Sequence, residues 1–177
     1  MGPMGHSAHG LAARPAAPRI PLLVLVLATE AIGLLTLAFL AMGIEKFGVT
    51  QADLSQGLVM ISPASIAWSH GLIAALPWSS LAAAIAFLAV RDRRAGAIVG
   101  LLAFSHWVLD FIVHPQELPL LLGGSRMLGL CLWCSCPGLV IAGVLEFALF
   151  ACGLAIYVVY RKMHARPTGG SQAIKAA

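Results

Sequence analysis

Two histidines and an aspartate stand at a regular spacing in the second half of this sequence. His106, Asp110 and His114 are four residues apart, so on an α-helix they lie one turn apart along a single face. Imidazole nitrogens and carboxylate oxygens are zinc ligands, and a zinc ion with three protein ligands keeps a position open for water. The three residues therefore predict a site for a divalent metal ion, with zinc as the candidate.

Two other interpretations of these residues stay open. An Asp–His pair one turn apart can neutralise itself inside a helical bundle, and polar side chains also hold membrane helices together. A haem iron with His70 and His106 as axial ligands is the second alternative. An aspartate one turn from a ligand suits a buried haem poorly, so we rank the haem last.

Three more ionisable side chains lie within long apolar runs. His70 opens the second run, Glu30 lies in the first and Glu146 lies in the fourth. An ionisable group at the centre of a bilayer costs at least about 2.5–3.5 kcal/mol, which makes each one a functional hypothesis. We predict that His70 joins the metal site, that Asp110 and Glu146 are catalytic, and that a glutamate acts as general base. A structural role between helices is the alternative for Glu30 and Glu146.

The elements that position these residues must lie in lipid. Of the 177 residues 60% are hydrophobic and 10% are charged, whereas about 25% of the residues in a soluble domain are charged. Within a bilayer only helices and closed barrels satisfy their backbone groups, and long unbroken apolar runs favour helices. Four runs approach the length of about 20 residues that crosses a bilayer; they are 20–42, 68–90, 95–113 and 139–160. The sequence therefore predicts an all-α fold, an integral membrane four-helix bundle.

The first run has a second interpretation, a secretory signal peptide, because Arg14 and Arg19 precede it. It is longer than a typical apolar signal region, and no convincing small-residue cleavage site follows it. We therefore predict that it is a retained span.

The basic residues are distributed unevenly between the two sides of the predicted spans. Only Lys46 and Arg126 of the eleven lie on one side. The other nine are Arg14, Arg19, Arg91, Arg93, Arg94, Arg161, Lys162, Arg166 and Lys175. The positive-inside rule places these nine, and with them both termini, in the cytoplasm. We therefore expect a multi-pass protein of a bacterial-type inner membrane, with membrane lipids and no nucleic acid as partners.

The predicted domain organisation has one membrane domain between two tails. Residues 1–19 are predicted to form an N-terminal tail or a short interfacial helix, 20–160 the four-span domain, and 161–177 a flexible basic tail. The predicted outer loop before the fourth span holds a C-x-x-C-x-C motif, formed by Cys131, Cys134 and Cys136. A disulfide or free thiols is the favoured interpretation, because a metal site would need a fourth ligand.

Several motifs resemble the small multi-spanning membrane proteins of the YdjM type, which are known as membrane-bound metal-dependent hydrolases or, in some relatives, as permeases. The most specific motif is S-H-W-x-L-D-x-x-x-H, which residues 105–114 match. Residues 5–13 resemble the opening G-H-x-A-x-G-L-A-A, and 68–72 resemble [YW]-[ST]-H-S-L. Residues 43–45 also follow the first span as in the family, so the resemblance extends over about 5–160.

The resemblance implies a metal site whose ligands come from separate parts of the chain. Carried over by position, the ligands are His6, His70, His106 and Asp110, with His114 as a further ligand. The family's acid in the first span corresponds to Gly33 here, and Glu30, one turn earlier, is the candidate substitute.

His6 conflicts with the predicted topology, which leaves it on the cytoplasmic side while the other ligands lie in the outer half of the bundle. Either residues 5–17 fold back as a short helix, or His6 is not a ligand. The resemblance implies a metal-dependent hydrolase acting on a lipid-like substrate. The alternative is a non-catalytic membrane protein, permease-like or partner-binding, with a degenerate metal site.

Overall fold

The protein is mostly helical. A computed structural model describes residues 1–48, 62–122 and 126–165. The helices are α1 (Pro3–Ala12), α2 (Leu22–Thr29), α3 (Ala31–Ala41), α4 (Ala67–His70), α5 (Leu72–Val90), α6 (Arg93–Val113) and α7 (Cys136–His164). Two antiparallel strand pairs lie between them, β1 (Lys46–Gly48) with β2 (Ser62–Ser65) and β3 (Leu118–Pro119) with β4 (Met127–Leu128). The predicted helical class is thus confirmed.

Helices α5, α6 and α7 are long and apolar enough to cross a membrane. Helices α2 and α3 pass the same test only as a pair, bent by 63° between them. By length and composition the described residues therefore hold three spanning helices, or four if the bent pair is one span. Large apolar side chains such as Leu88 and Phe147 are exposed on the outside of these helices, as expected where lipid is the surrounding medium.

Helices α5 and α6 pack closely against each other, and this contact positions the helix that bears His106 and Asp110. Asp92 caps the start of α6, accepting hydrogen bonds from the backbone N–H groups of Arg94 (2.9 Å) and Ala95 (3.2 Å). Along the contact Gly100 faces Ala83, and a Cβ added at Gly100 would lie 2.8 Å from the Ala83 Cβ. Small residues at such positions let two membrane helices approach closely.

The first apolar run is broken, although the sequence predicts one continuous span over 20–42. The break falls at Glu30, whose φ of −98° and ψ of 0° leave the helical region. At the same point His106 Nδ1 lies 2.8 Å from the carbonyl oxygen of Thr29. A side chain that takes a carbonyl out of the helical hydrogen-bond ladder is a recognised cause of a kink. The bend is therefore a consequence of the contact with α6.

The N-terminal segment forms a helix, α1, that packs against α7 and α2. Glycines permit the close approach. A Cβ added at Gly10 would lie 2.8 Å from the carbonyl oxygen of Leu25, and one added at Gly153 would lie 3.0 Å from the Cα of Ala8 and still closer to its carbonyl oxygen. His6 is buried on this helix. Of the two alternatives for this segment, the structure shows the folded helix.

The second predicted span starts later than expected. Gly71 takes an extended conformation (φ −62°, ψ 136°) between α4 and α5, so residues 68–70 form a separate turn. Trp107 Nε1 on α6 donates a 2.8 Å hydrogen bond to the carbonyl oxygen of His70 and fixes that turn. The position of His70 is therefore set by α6 rather than by α5.

The predicted outer loop and the C-terminal region complete the described part of the chain. Cys131 and Cys134 form a disulfide, while Cys136 and Cys152 are free and exposed. Helix α7 continues to His164, so the first residues of the predicted flexible tail are helical. The predicted tail from residue 166 onward, including Arg166 and Lys175, and the loop residues 49–61 and 123–125 lie outside the described residues.

Candidate metal centre

The candidate metal centre is built around the Asp110 carboxylate, which is buried and surrounded by imidazole rings. Its Oδ1 lies 3.2 Å from His6 Nε2 and 3.9 Å from His114 Nε2. Its Oδ2 lies 3.3 Å from both His70 Nε2 and His106 Nε2. The structure thus brings together all five residues that the sequence and the resemblance propose as metal ligands.

Three of these side chains could share one metal ion directly. One ligand atom each from His6, His106 and Asp110 all lie within 4.8 Å of one another, and all three residues are buried. The His6 and His106 rings are stacked, with centroids 3.9 Å apart and planes 12° apart. The His70 ring meets that of His106 edge-on at 5.5 Å. Helices α1, α4 and α6 therefore each supply part of the centre.

The His106 ring is oriented by the bend in the first apolar run. A carbonyl oxygen can only accept, so Nδ1–H of His106 donates to the Thr29 oxygen at 2.8 Å. A neutral imidazole with its proton on Nδ1 presents a lone pair on Nε2. His106 therefore turns toward Asp110 the nitrogen that could bind a metal ion.

The His70 ring is oriented by a longer chain of hydrogen bonds that begins at Glu45, a buried carboxylate after α3. Glu45 accepts from the backbone N–H of Ser69 (2.8 Å) and from Ser69 Oγ (2.8 Å to Oε2). The single hydroxyl proton of Ser69 is thereby committed to Glu45, since an ionised carboxylate can only accept.

The rest of the chain follows from that commitment. The single hydroxyl proton of Thr36 has two acceptors within reach, Ser69 Oγ at 2.8 Å and the carbonyl oxygen of Ile32 at 3.1 Å. His70 Nδ1 lies 2.9 Å from Thr36 Oγ1 and 3.1 Å from Ser69 Oγ, and neither oxygen has a proton left to give it. Nδ1 of His70 is therefore the donor, and its Nε2 carries a lone pair toward Asp110. Partners of this kind fix the tautomer of metal-binding histidines in other sites.

His6 is held less firmly than the other two histidines. Its Nε2 lies 3.0 Å from the carbonyl oxygen of Met1 as well as close to Asp110, so this nitrogen carries the proton in the structure. Its Nδ1 is buried without a hydrogen-bond partner among the described residues. The Met1 amino group also contacts Asp110. Binding a metal through Nε2 would require the His6 proton to move to Nδ1, where nothing described stabilises it.

The predicted acid position of the first span lines the centre, but glycine occupies it. A Cβ added at Gly33 would lie 3.0 Å from His106 Cε1 and 3.3 Å from its Nε2. Glu30 does not take the place of the missing acid: its Oε2 is 4.0 Å from Nδ1 of His106, the nitrogen that faces away from Asp110. Its other oxygen lies 3.4 Å from Ser7 Oγ.

Glu146, the predicted general base, holds the first turn of α1. Its Oε1 accepts a 3.2 Å hydrogen bond from the backbone N–H of Gly5. A carboxylate at a helix N-terminus is stabilised by the helix dipole. Since Gly5 directly precedes His6, this contact also positions the His6 turn. The catalytic role of Glu146 stays a prediction.

Sequence reasoning missed the residues that orient the histidines. Thr29, Thr36 and Ser69 are ordinary polar residues in apolar surroundings, and no spacing rule singles them out. Ser69 and Glu45 do fall within motifs of the YdjM resemblance, and that was the available signal for them.

No family model matches this chain, and neither the curated proteins nor the solved structures contain a match to it. The resemblance to the YdjM type therefore remains an expectation from the motifs, and the chemistry of the centre has to be argued from its geometry.

Proposed function

We propose that this protein is a metal-dependent hydrolase of a bacterial-type inner membrane, similar to the YdjM type, that acts on a lipid-like ester. The observation that carries the proposal is the convergence of His6, His70 and His106 on the buried carboxylate of Asp110. Four spans, with α2 and α3 as one of them, and cytoplasmic termini complete the proposed arrangement.

The donor set suits a divalent cation. With Nδ1 of each ring as the donor, Nε2 of His70 and Nε2 of His106 face the same oxygen, Asp110 Oδ2, at 3.3 Å, and a positive charge among these atoms stabilises the arrangement. Protons on both rings would supply the charge, but two imidazolium rings 5.5 Å apart repel each other in a buried site. One divalent ion supplies the same charge without that repulsion, and zinc is the ion that two or three imidazoles and a carboxylate favour.

The chemistry would be hydrolysis by an activated water. When bound, a divalent ion lowers the pKa of a coordinated water and polarises a carbonyl oxygen. Asp110 and the histidines would hold the ion. The hydrogen bonds that His106 donates to the Thr29 carbonyl oxygen and that His70 donates to the Glu45–Ser69–Thr36 chain keep the rings oriented.

Two further side chains are placed to handle protons. His114 is more exposed than the other four site residues and packs against Trp133 at 4.9 Å, so it lies on the open side of the centre. Glu146, proposed as general base, is held beside the His6 turn through Gly5. The apolar surroundings exclude bulk water and favour an acyl substrate delivered from the membrane.

The metal content of the purified full-length protein tests this proposal. We expect about one zinc-class ion per chain in the wild type and almost none in a His106→Ala/Asp110→Ala variant. His9→Ala is the matched control, because among the described residues the hydrogen bond of the His9 side chain stays within α1, with Nδ1 3.2 Å from the Gly5 carbonyl oxygen. A wild-type protein without stoichiometric metal would contradict the proposal.

Hydrolysis of a fluorogenic acyl ester by the protein in vesicles should disappear with a chelator and return with zinc.

A non-catalytic role, permease-like or partner-binding, is the second candidate. Glycine at position 33 favours it, since the centre then lacks the acid that the YdjM resemblance implies. Stoichiometric metal together with no ester hydrolysis would support this candidate over the first.

A reporter fused after Tyr160 tests the proposed topology, which fails if the reporter proves to be outside the cytoplasm.

A further inference from the structure

A polar cavity lies at the C-terminal end of α7, and none of its lining residues belongs to the metal centre. It has a volume of about 400 Å³ and lies between that helix end and the segment that links α1 to α2. Its lining residues are Arg14, Leu22, Tyr157, Tyr160, Arg161, His164 and Ala165. We call this cavity the basic cleft.

The basic cleft holds positive charge that the described protein does not neutralise. Arg14 donates to the carbonyl oxygen of Ile20, and Arg161 donates to the hydroxyl of Tyr157 at 3.2 Å. Neither arginine is paired with a carboxylate among the described residues, and the lining contains no acidic side chain. Residues 166–177 contain no aspartate or glutamate either.

The unused donors of the cleft suit a phosphate group. A guanidinium has five N–H groups in a planar fork, and each arginine spends one of them on the protein contact just described. Paired N–H groups bind phosphate oxygens in a bidentate manner, more strongly than neutral donors do. His164, whose Nδ1 contacts the Tyr160 carbonyl oxygen at 2.9 Å, leaves its Nε2 as a further polar atom at the rim.

The position of the cleft selects a lipid as the source of that phosphate. Tyr157 and Tyr160 lie near the end of a helix that is long and apolar enough to span a membrane, and Arg161 and Lys162 follow them directly. Tyrosines followed by basic residues are typical of the membrane–water interface on the cytoplasmic side. Leu22 adds an apolar surface that can contact the part of an acyl chain nearest to the lipid glycerol.

We propose that the basic cleft binds the headgroup phosphate of an anionic phospholipid. The two arginines hold the phosphate, the tyrosine hydroxyls border it, and the acyl chains run along the outside of α7 and α2. The proposal does not depend on the metal centre or on hydrolysis.

Native mass spectrometry of the full-length protein in detergent, titrated with phosphatidylglycerol, tests the proposal. The test variant is Arg14→Gln/Arg161→Gln. The matched control is Arg93→Gln/Arg94→Gln, which removes two exposed charges outside the cleft at the predicted cytoplasmic side. Since each basic residue at an anionic membrane surface contributes about fivefold in affinity, we expect about 25-fold weaker binding in the test variant. The control should bind as the wild type does.

Three results would overturn the proposal. Equal losses in the test and control variants would mean that general surface charge attracts the lipid. Equal binding of phosphatidylcholine and phosphatidylglycerol to the wild type would mean that the cleft does not select an anionic headgroup. Displacement of phosphatidylglycerol by inorganic phosphate at equal concentration would mean a free-anion site. If the double variant does not fold, Arg161→Gln alone leaves the Arg14 contact with Ile20 intact, and we expect it to lose about fivefold.

Discussion

Replacing the buried Glu45 by glutamine should weaken metal binding although Glu45 does not touch the metal centre. The glutamine keeps the shape of the side chain, but its NH2 group can donate where the carboxylate only accepts. The Ser69 hydroxyl, 2.8–3.0 Å from the two carboxylate oxygens, would then receive a proton instead of giving one. Its own proton would turn toward Thr36 and His70, and the His70 proton would move to Nε2. A protonated Nε2 cannot bind a metal ion.

The expected loss of zinc affinity can be estimated from the general role of hydrogen-bond partners that lie behind metal-binding histidines. Loss of a hydrogen-bond partner behind a metal-binding histidine typically costs about 10–100-fold in metal affinity, or about 1.4–2.7 kcal/mol. We expect Glu45→Gln in this range. Thr36→Val should cost less, because Ser69 Oγ remains 3.1 Å from His70 Nδ1 and can accept its proton.

Zinc affinity, measured by competition with a chromogenic chelator on the purified protein in detergent, provides the assay. Asp92→Asn is the matched control, since it also removes one carboxylate charge, at the start of α6, and should leave the affinity unchanged. Thermal unfolding without metal checks that each variant is folded. If folded Glu45→Gln binds zinc as tightly as the wild type, the proposed orientation of His70 through Glu45 is wrong.

Three further predictions concern the packing around the centre. Gly33→Ala should lower zinc affinity in the same competition assay and cost about 1–3 kcal/mol of stability, because the new Cβ would lie 3.0 Å from the His106 ring. An unchanged zinc affinity and an unchanged stability would mean that the ring has room to move. His6→Ala should weaken zinc binding less than His106→Ala does, because the His6 Nδ1 has no described partner to support metal binding. A larger loss of zinc affinity in His6→Ala than in His106→Ala would contradict this prediction and would make α1 the main source of ligands. Gly153→Leu should separate α1 from α7, because Gly153 lies against the backbone of Ala8. Faster protease cleavage within α1 would report this separation. Unaltered cleavage would show that the contact is dispensable.

The sequence predicts the parts of this structure that depend on local pattern. Apolar length finds α5, α6 and α7, and helical spacing places His106 and Asp110 on one face of α6. Ionisable residues are unusual in such apolar surroundings, and this contrast alone marks them as candidates for a functional site.

The remaining features depend on contacts between distant parts of the chain. The bend at Glu30 has no glycine or proline at the break, and it follows instead from a hydrogen bond between Thr29 and His106, 77 positions apart. The inward position of His6 depends on Gly153 of α7, which lies against the backbone of Ala8, and on Gly10 of α1, which lies against the backbone of Leu25 in α2. The tautomer inferred for His70 depends on Glu45, which the fold of the loop after α3 brings close to Ser69. A pattern within one segment contains no information about such partners.

The contact between α1 and α7 has a consequence for biosynthesis. The ribosome makes α7 after α1, yet Gly5 donates to the Glu146 carboxylate and Ala8 packs on Gly153. The supports that α7 gives to the His6 turn therefore form only when α7 has been made. We expect a shortened protein that lacks α7 to bind metal more weakly. Assembly of the candidate metal centre is thus coupled to the synthesis of α7.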